Sequence, residues 1–152
     1  MPISIRRAVS SDVDVVVEFN RLLAEESEGK ALDSQVLRRG VESGLADPRK
    51  SVYFLAEEED QVLGQIMFTT EWSDWRNGWF WWIQSVYVRS DARRRGVFRA
   101  LFEQVRQAAL AERDVIGLRL YVERENLVAQ ETYRTMGMDA AGYLVFERYP
   151  LQ

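Results

Sequence analysis

The chain of 152 residues has no cysteine and no histidine. Without cysteine there are no disulfides, no thiolate nucleophile and no Cys-ligated zinc. Without histidine, Ser-His and Cys-His catalysis and His-metal sites are excluded as well. Proton transfer is left to Asp, Glu, Tyr, Lys, a terminus or water. Only 3 prolines and 9 glycines occur, and neither a repeat nor a low-complexity linker is visible. Long apolar runs are absent: the longest, Trp79 to Ile83, is far too short to span a bilayer. The opening residues through Arg7 carry no apolar signal-peptide core. The expectation is a cytoplasmic chain with no membrane partner.

The composition is that of an ordinary globular protein, 47% hydrophobic and 29% charged, so one domain spanning 1–152 is expected. Net charge is −4, which suits a general nucleic-acid binder poorly.

Patterning predicts the order β-α-α-β-β-β-α-β-α-β. A short strand covers Ile3 to Arg7. Ser11-Asp12 starts a helix with Val13, Val16, Val17, Asn20 and Leu23 at helical spacing. A second helix begins at Asp33, weakened by Gly40 and Gly44, and stops at Asp47-Pro48. Strands follow at Ser51 to Glu57, Val62 to Trp72 and Trp79 to Val88. The turn Glu58-Glu59-Asp60 and the Asn77-Gly78 signal make them a meander. Phe98, Leu101, Phe102, Val105 and Ala109 define a helix. Ile116 to Val122 is a strand, Asn126 to Met136 a helix stopped by Gly137, and Tyr143 to Tyr149 a last strand. The unit strand 79–88, helix 96–113, strand 116–122 reads as a parallel βαβ crossover. The fold class is therefore α/β (α+β), a mixed and mostly antiparallel sheet with helices on both faces.

Five arginines fall within eleven residues: Arg89, Arg93, Arg94, Arg95 and Arg99, opposed only by Asp91. Gly96 sits among them where a helix begins. A strand, a basic glycine loop and a helix N-terminus together suit an anion such as a pyrophosphate. A solvated basic loop fits the charge equally well. Neither Gly-x-x-x-x-Gly-Lys-Ser/Thr nor Gly-x-Gly-x-x-Gly is present, which excludes a P-loop and a dinucleotide fingerprint. The acidic remainder of the chain counts against RNA.

The stretch from Val86 through Arg93, Gly96 and Phe98 to Leu101 resembles motif A of the GNAT superfamily of N-acetyltransferases, Gln/Arg-x-x-Gly-x-Gly/Ala after a strand. Arg93 fits its first position and Gly96 its glycine. Phe98 departs from the Gly/Ala position. Leu120 to Gly137 resembles motif B, with Asn126, Ala129 three later and Tyr133 seven later. The resemblance implies a fold that grips acetyl-CoA and no metal. It places the pyrophosphate on the amides of Arg94, Arg95, Gly96, Val97 and Phe98, beside Arg93 and Arg99. The pantetheine arm would pair with the main chain at Val86, Tyr87 and Val88, with Asn126 and Ala129 nearby.

Acyl transfer needs a neutral amine, a stabilised oxyanion and a proton for the departing thiolate. A backbone N–H near Val86 can serve the oxyanion. The resemblance implies Tyr133 as general acid; the helix pattern alone also fits a core aromatic. Asn126 also reads as a helix N-cap. No carboxylate lies on Trp79 to Ser85. Candidate bases are Glu71, Asp74 and Glu123, or a water relayed through Gln84 and Ser85. Five tryptophans lie between 72 and 82. Trp79 and Trp81 point to one face and Phe80 and Trp82 to the other. Side chains from 82 to 85 are expected to face the acyl group. Trp72, Trp75 and Trp79 are expected to pack or to form a homodimer contact. The reading is direct acetyl transfer to a primary amine of a small molecule or peptide. The alternative is a non-catalytic acyl-CoA-binding sensor.

Overall fold

The computed structural model describes residues 2–152. It divides into two compact units, one through Leu120 and one from Tyr121 to Gln152.

The first unit contains β1 (Ser4–Arg7), α1 (Val13–Glu28), α2 (Ser34–Ala46), β2 (Val52–Glu58), β3 (Gln61–Ser73), β4 (Gly78–Val88), α3 (Val97–Ala111) and β5 (Val115–Leu120). The strands form one sheet in the order β1-β2-β3-β4-β5. The first three pairings are antiparallel and β4–β5 is parallel, as the βαβ spacing requires.

Strand alternation splits the core in two. Tyr53 and Leu55 of β2 join Ala8, Val16 and Val41 in one buried cluster, so α1 and α2 cover that face. Phe54, Ile66, Phe68, Trp81 and Ile83 lie on the other face by register and are buried. There they meet α3, whose buried Val97, Leu101, Phe102, Val105 and Ala109 form one helical stripe. Phe68 and Trp81 stack at 3.9 Å with planes 9° apart.

Local chemistry sets the helix starts. Arg6 grips Asp12 through two bonds of 2.8 and 2.9 Å, and Asp12 accepts the Val9 N–H at 2.7 Å. Asp33 caps α2 by accepting from the Gln35 and Val36 amides. Gly44 costs α2 helix propensity but lets the helix pass close to Ser51. A Cβ there would stand 2.6 Å from Ser51 Oγ.

The second unit holds α4 (Leu127–Thr135). Asn126 Oδ1 caps it by accepting from Ala129 N at 3.1 Å. After it, the Gly137 and Met138 amides return to the Arg134 and Tyr133 carbonyls. The strand expected at Tyr143 to Tyr149 is not formed, and β5 ends at Leu120 rather than Val122. An apolar segment asks for burial, but it becomes a strand only where a sheet edge bonds to it.

Candidate functional site

The site is built around the second half of β4. β4 pairs with β5 from Trp79 to Ile83, the last partner of Ile83 being Leu120. Gln84 to Val88 continue for five residues without a parallel neighbour. One edge of that backbone is therefore open among the described residues. Val86, Tyr87 and Val88, expected to pair with an extended ligand arm, all lie in this stretch.

A bulge bends β4 at that point. Met67 faces Gln84 and Gln65 faces Tyr87, so one residue more stands on β4 than on β3. Ser85 carries the distortion, with φ +49. Its carbonyl, turned out of the ladder, accepts from Gln65 Nε2 at 2.9 Å. Gln65 is completely buried and its Oε1 has no partner among the described residues. The Ser85 side chain meets the Tyr53 hydroxyl, which Asn20 also engages; burial pushes the Tyr53 hydroxyl above its usual pKa. Ser85, expected to relay a water, is thus held by the interior from two sides. Gln84 Nε2 donates to Thr69 Oγ1 at 2.7 Å, which holds its amide across the β3–β4 pair.

Beyond Val88 comes the arginine loop, and the structure divides its charges. Arg89 pairs with Asp91, Arg93 with Glu26 at 2.7 Å and Arg95 with Glu58. Arg94 and Arg99 have no carboxylate partner among the described residues. Sequence patterning counted five cations against Asp91; α1 and β2 supply two further anions that only folding brings near. The cluster is thus less positive than its local sequence suggests.

Arg93 is the organising member. Its Nε donates to the Val88 carbonyl at 3.0 Å, its guanidinium lies 5.5 Å from the Tyr87 ring centroid, and its far nitrogen reaches Glu26. The Tyr87 hydroxyl donates to the other Glu26 oxygen at 2.6 Å. Burial, reinforced by Glu26, pushes the Tyr87 hydroxyl up to about 12, so it keeps its proton at neutral pH. Arg93 and then Tyr87 hold Glu26 below its ordinary range. Glu26 sits in the last turn of α1, and its sequence context gave no hint of a role.

The loop then enters α3. Arg94 has φ +64 and Gly96 φ +81. Left-handed residues at such spacing turn neighbouring amides toward a common concavity, the geometry of anion nests. No side chain caps α3, so its first N–H groups lack intrahelical partners. Space beside Gly96 is open: a Cβ there would meet nothing within 4 Å. Val97 is buried and anchors the turn. Phe98, at the position where a small residue was expected, packs edge-on to Phe102 at 6.1 Å.

The opposite end of β4 is aromatic. Trp72 and Trp79 meet edge to face at 5.1 Å, while Trp75 is 86% exposed. Phe80 and Trp82 share a face, as alternation predicts. Arg119 lies 3.6 Å from the Phe80 centroid and 5.9 Å from that of Trp82. Glu71 accepts from Arg119 at 3.0 Å and from Trp82 Nε1 at 3.2 Å. Glu71 is therefore committed to two donors. Of the other acidic candidates, Asp74 accepts the Trp75 amide at 2.9 Å and Glu123 accepts the Glu125 amide at 2.7 Å. Tyr133 lies on α4 and is half-buried; that partial burial raises its pKa. The sequence also missed Gln65, Tyr53 and Thr69. Gln65 had one signal, a lone amide in the run Leu63 to Phe68.

No helix among the described residues is long and apolar enough to cross a membrane. No curated protein matches the chain. Among solved structures, a possible acetyltransferase from Clostridium difficile 630 is 44% identical, with both chains covered in full and a TM-score of 0.93. A predicted acetyltransferase with acetyl-CoA from Clostridium acetobutylicum shares the fold at 18% identity, covering 97% of this chain and 96% of that one, with a TM-score of 0.79. An aminoglycoside acetyltransferase from an uncultured soil metagenomic sample, in complex with sisomicin, shares it at 18% identity, covering 99% and 97%, with a TM-score of 0.75. The model of the acetyltransferase (GNAT) family matches residues 17–138, and together with the first of these structures it shows that the chain belongs to that family.

Proposed function

We propose that the chain is an acetyl-CoA-dependent N-acetyltransferase that moves an acetyl group directly to a primary amine of a small molecule or peptide. The observation that carries this reading is the open half of β4. Its free edge, its bulge at Ser85 and the uncapped start of α3 follow one another along the chain. An extended acyl carrier needs those features in that order: main-chain pairing for the arm, then amides for the pyrophosphate. The site fits such a carrier, since the space at Gly96 is open and Arg94 and Arg99 are uncommitted.

The roles follow the chemistry of each group. The amides of Arg94 to Phe98 hold the pyrophosphate, with Arg93 fixing the loop against Val88. Main-chain groups of Val86, Tyr87 and Val88 pair with the arm, and a β4 amide near Val86 polarises the thioester carbonyl. The thioester supplies an activated acyl carbon. The amine nitrogen bonds to it, the C–S bond breaks, the nitrogen loses a proton and the sulfur gains one from Tyr133. Asn126 and Ala129 complete the α4 contribution. Water takes the amine proton, relayed past Gln84 and Ser85, with Glu123 the carboxylate alternative. We read residues 1–152 as one cytoplasmic domain that uses no metal and no nucleic acid.

A second reading, a non-catalytic acyl-CoA sensor, is favoured by one observation: no carboxylate stands on β4, and Glu71 is tied to Arg119 and Trp82. One experiment separates the two. Free thiol is followed while the protein is incubated with acetyl-CoA and a panel of polyamines, aminoglycosides and peptide amines. Turnover on any amine, lowered roughly 10- to 1000-fold by Tyr133→Phe with little change in CoA affinity, supports the enzyme. Acetyl-CoA binding without turnover supports the sensor, and no binding at millimolar CoA refutes both.

A further inference from the structure

Gln65 is fully buried on β3, in a run where Leu63, Ile66 and Phe68 are buried and apolar. Packing alone would favour an apolar side chain there. Its amide instead donates to the Ser85 carbonyl at 2.9 Å. Only the NH2 end of an amide can face a carbonyl. Oε1 is therefore turned to the other side, where it has no partner among the described residues. An unpaired buried acceptor costs stability. Ser85, at φ +49, adds the cost of a left-handed residue that is not glycine. Local costs gathered at one point of a fold mark a position that function holds.

The bulge decides which amides of β4 face away from β3. Main-chain groups alternate sides along a strand. The Trp79 N–H donates to the Asp114 carbonyl beside β5, and the Arg89 N–H to the Leu63 carbonyl on β3, both at 2.8 Å. Counting forward from Trp79, odd positions through Ile83 face β5 and Gln84 faces β3. Counting back from Arg89, Tyr87 faces β3 while Val88 and Val86 face away. The two counts are out of step, and the extra residue of the bulge absorbs the difference. On a regular strand the Val86 N–H would turn to β3.

One peptide plane carries this switch. The Ser85 carbonyl and the Val86 N–H belong to the same trans peptide and point in opposite directions. Gln65 draws the carbonyl to itself, which sends the N–H the other way, to the side where β5 no longer pairs. The Ser85 side chain, engaged by the Tyr53 hydroxyl, holds the same residue from its other end. We propose that Gln65 is a positioning residue for acetyl transfer: it aims the Val86 N–H at the thioester carbonyl, where a donor stabilises the oxyanion. This rests on the acetyl-transfer reading and adds to it a residue that acts only through the strand beside it.

Acetyl-CoA isotope-labelled at the thioester carbonyl carbon tests this without an acceptor. Bound to wild type, the carbonyl NMR signal should lie downfield of the free compound. Gln65→Leu should return it most of the way to the free position at saturating protein. Gln65→Met, of similar length and also without a donor, should do the same. CoA, which has no thioester, should lose only about fivefold in affinity. With an accepted amine, kcat should fall roughly 10- to 100-fold, short of the loss on deleting an oxyanion donor outright. A wild-type signal at the free position, or variant signals at the wild-type position, overturns the proposal and leaves acetyl transfer standing. Equal losses of CoA affinity and kcat also overturn it, since they mark packing alone. Wild type that binds no acetyl-CoA refutes the acetyl-transfer reading and the proposal with it.

Discussion

The two halves of β4 are one strand with opposite tasks. From Trp79 to Ile83 it is paired on both sides, to β3 and to β5, and contributes Trp81 and Ile83 to the core. From Gln84 to Val88 it is paired on one side only among the described residues. There it is distorted at Ser85 and surrounded by polar anchors: Gln65, Tyr53, Thr69 and the Glu26–Tyr87–Arg93 group. Backbone that is fully bonded stabilises a fold and offers nothing to a ligand. Backbone left open must be held in place by side chains, and that is what the second half has.

Trp81→Ala should do the greatest harm, because it empties the slot against Phe68. A loss of about 3–5 kcal/mol is expected, seen as a fall in Tm of roughly 10 °C. The CoA-induced rise in Tm should survive in the molecules that remain folded. Equal loss of stability and ligand response would mean that the halves are not separable.

Gly96→Asp is the converse. Aspartate tolerates a left-handed backbone at a cost of about 1 kcal/mol, so the unliganded Tm should barely move. The negative charge should abolish the thermal shift by CoA. Gly96→Asn, with the same shape and no charge, should keep part of it. If Asp and Asn behave alike, bulk and not charge decides.

Gln65→Leu tests the anchor of the bulge. It removes the unpartnered Oε1 but strands the Ser85 carbonyl, and the two effects offset to within about 1 kcal/mol of stability. CoA affinity should nevertheless fall roughly fivefold, the equivalent of about 1 kcal/mol, measured by calorimetry. Unchanged affinity would show that the bulge holds itself.

Glu26→Gln separates charge from contact at the Arg93 loop. The Glu26 carboxylate is held below its ordinary pKa by Arg93 first and Tyr87 second. Its contribution is therefore fully present above the ordinary glutamate range and is lost as pH falls through the lowered value. The small Tm gap between wild type and variant at pH 7 should close in acid. A gap that persists in acid would assign the effect to packing. Trp75→Ala should do least: the side chain is exposed, so stability should stay within about 0.5 kcal/mol and the CoA response should not change. A lost CoA response would move the aromatic loop into the cofactor half.

Patterning made the β2–β3–β4 meander, the βαβ unit and the α1, α2 and α3 faces legible, while the place of β1 beside β2 came only with the fold. It also located the loop from Arg93 to Phe98, because glycine and arginine mark it directly. Glu26, Tyr53 and Gln65 were not legible as site residues. Each lies far along the chain from the residue it serves, Glu26 being 67 positions from Arg93. Tyr143 to Tyr149 reads as a strand in the sequence, yet it forms none.

The sequence by itself determined the chemistry this protein lacks, the faces its helices and strands present and the place where its loop can meet an anion. These are local properties of spacing and composition. Only the tertiary structure decided that three of the five loop arginines are spent on carboxylates, that β4 outruns β5 by five residues and that Ser85 bends where Gln65 can hold it. Those depend on strand register and on partners from distant segments. Pairing free energies belong to two positions at once, so neither position alone reveals them.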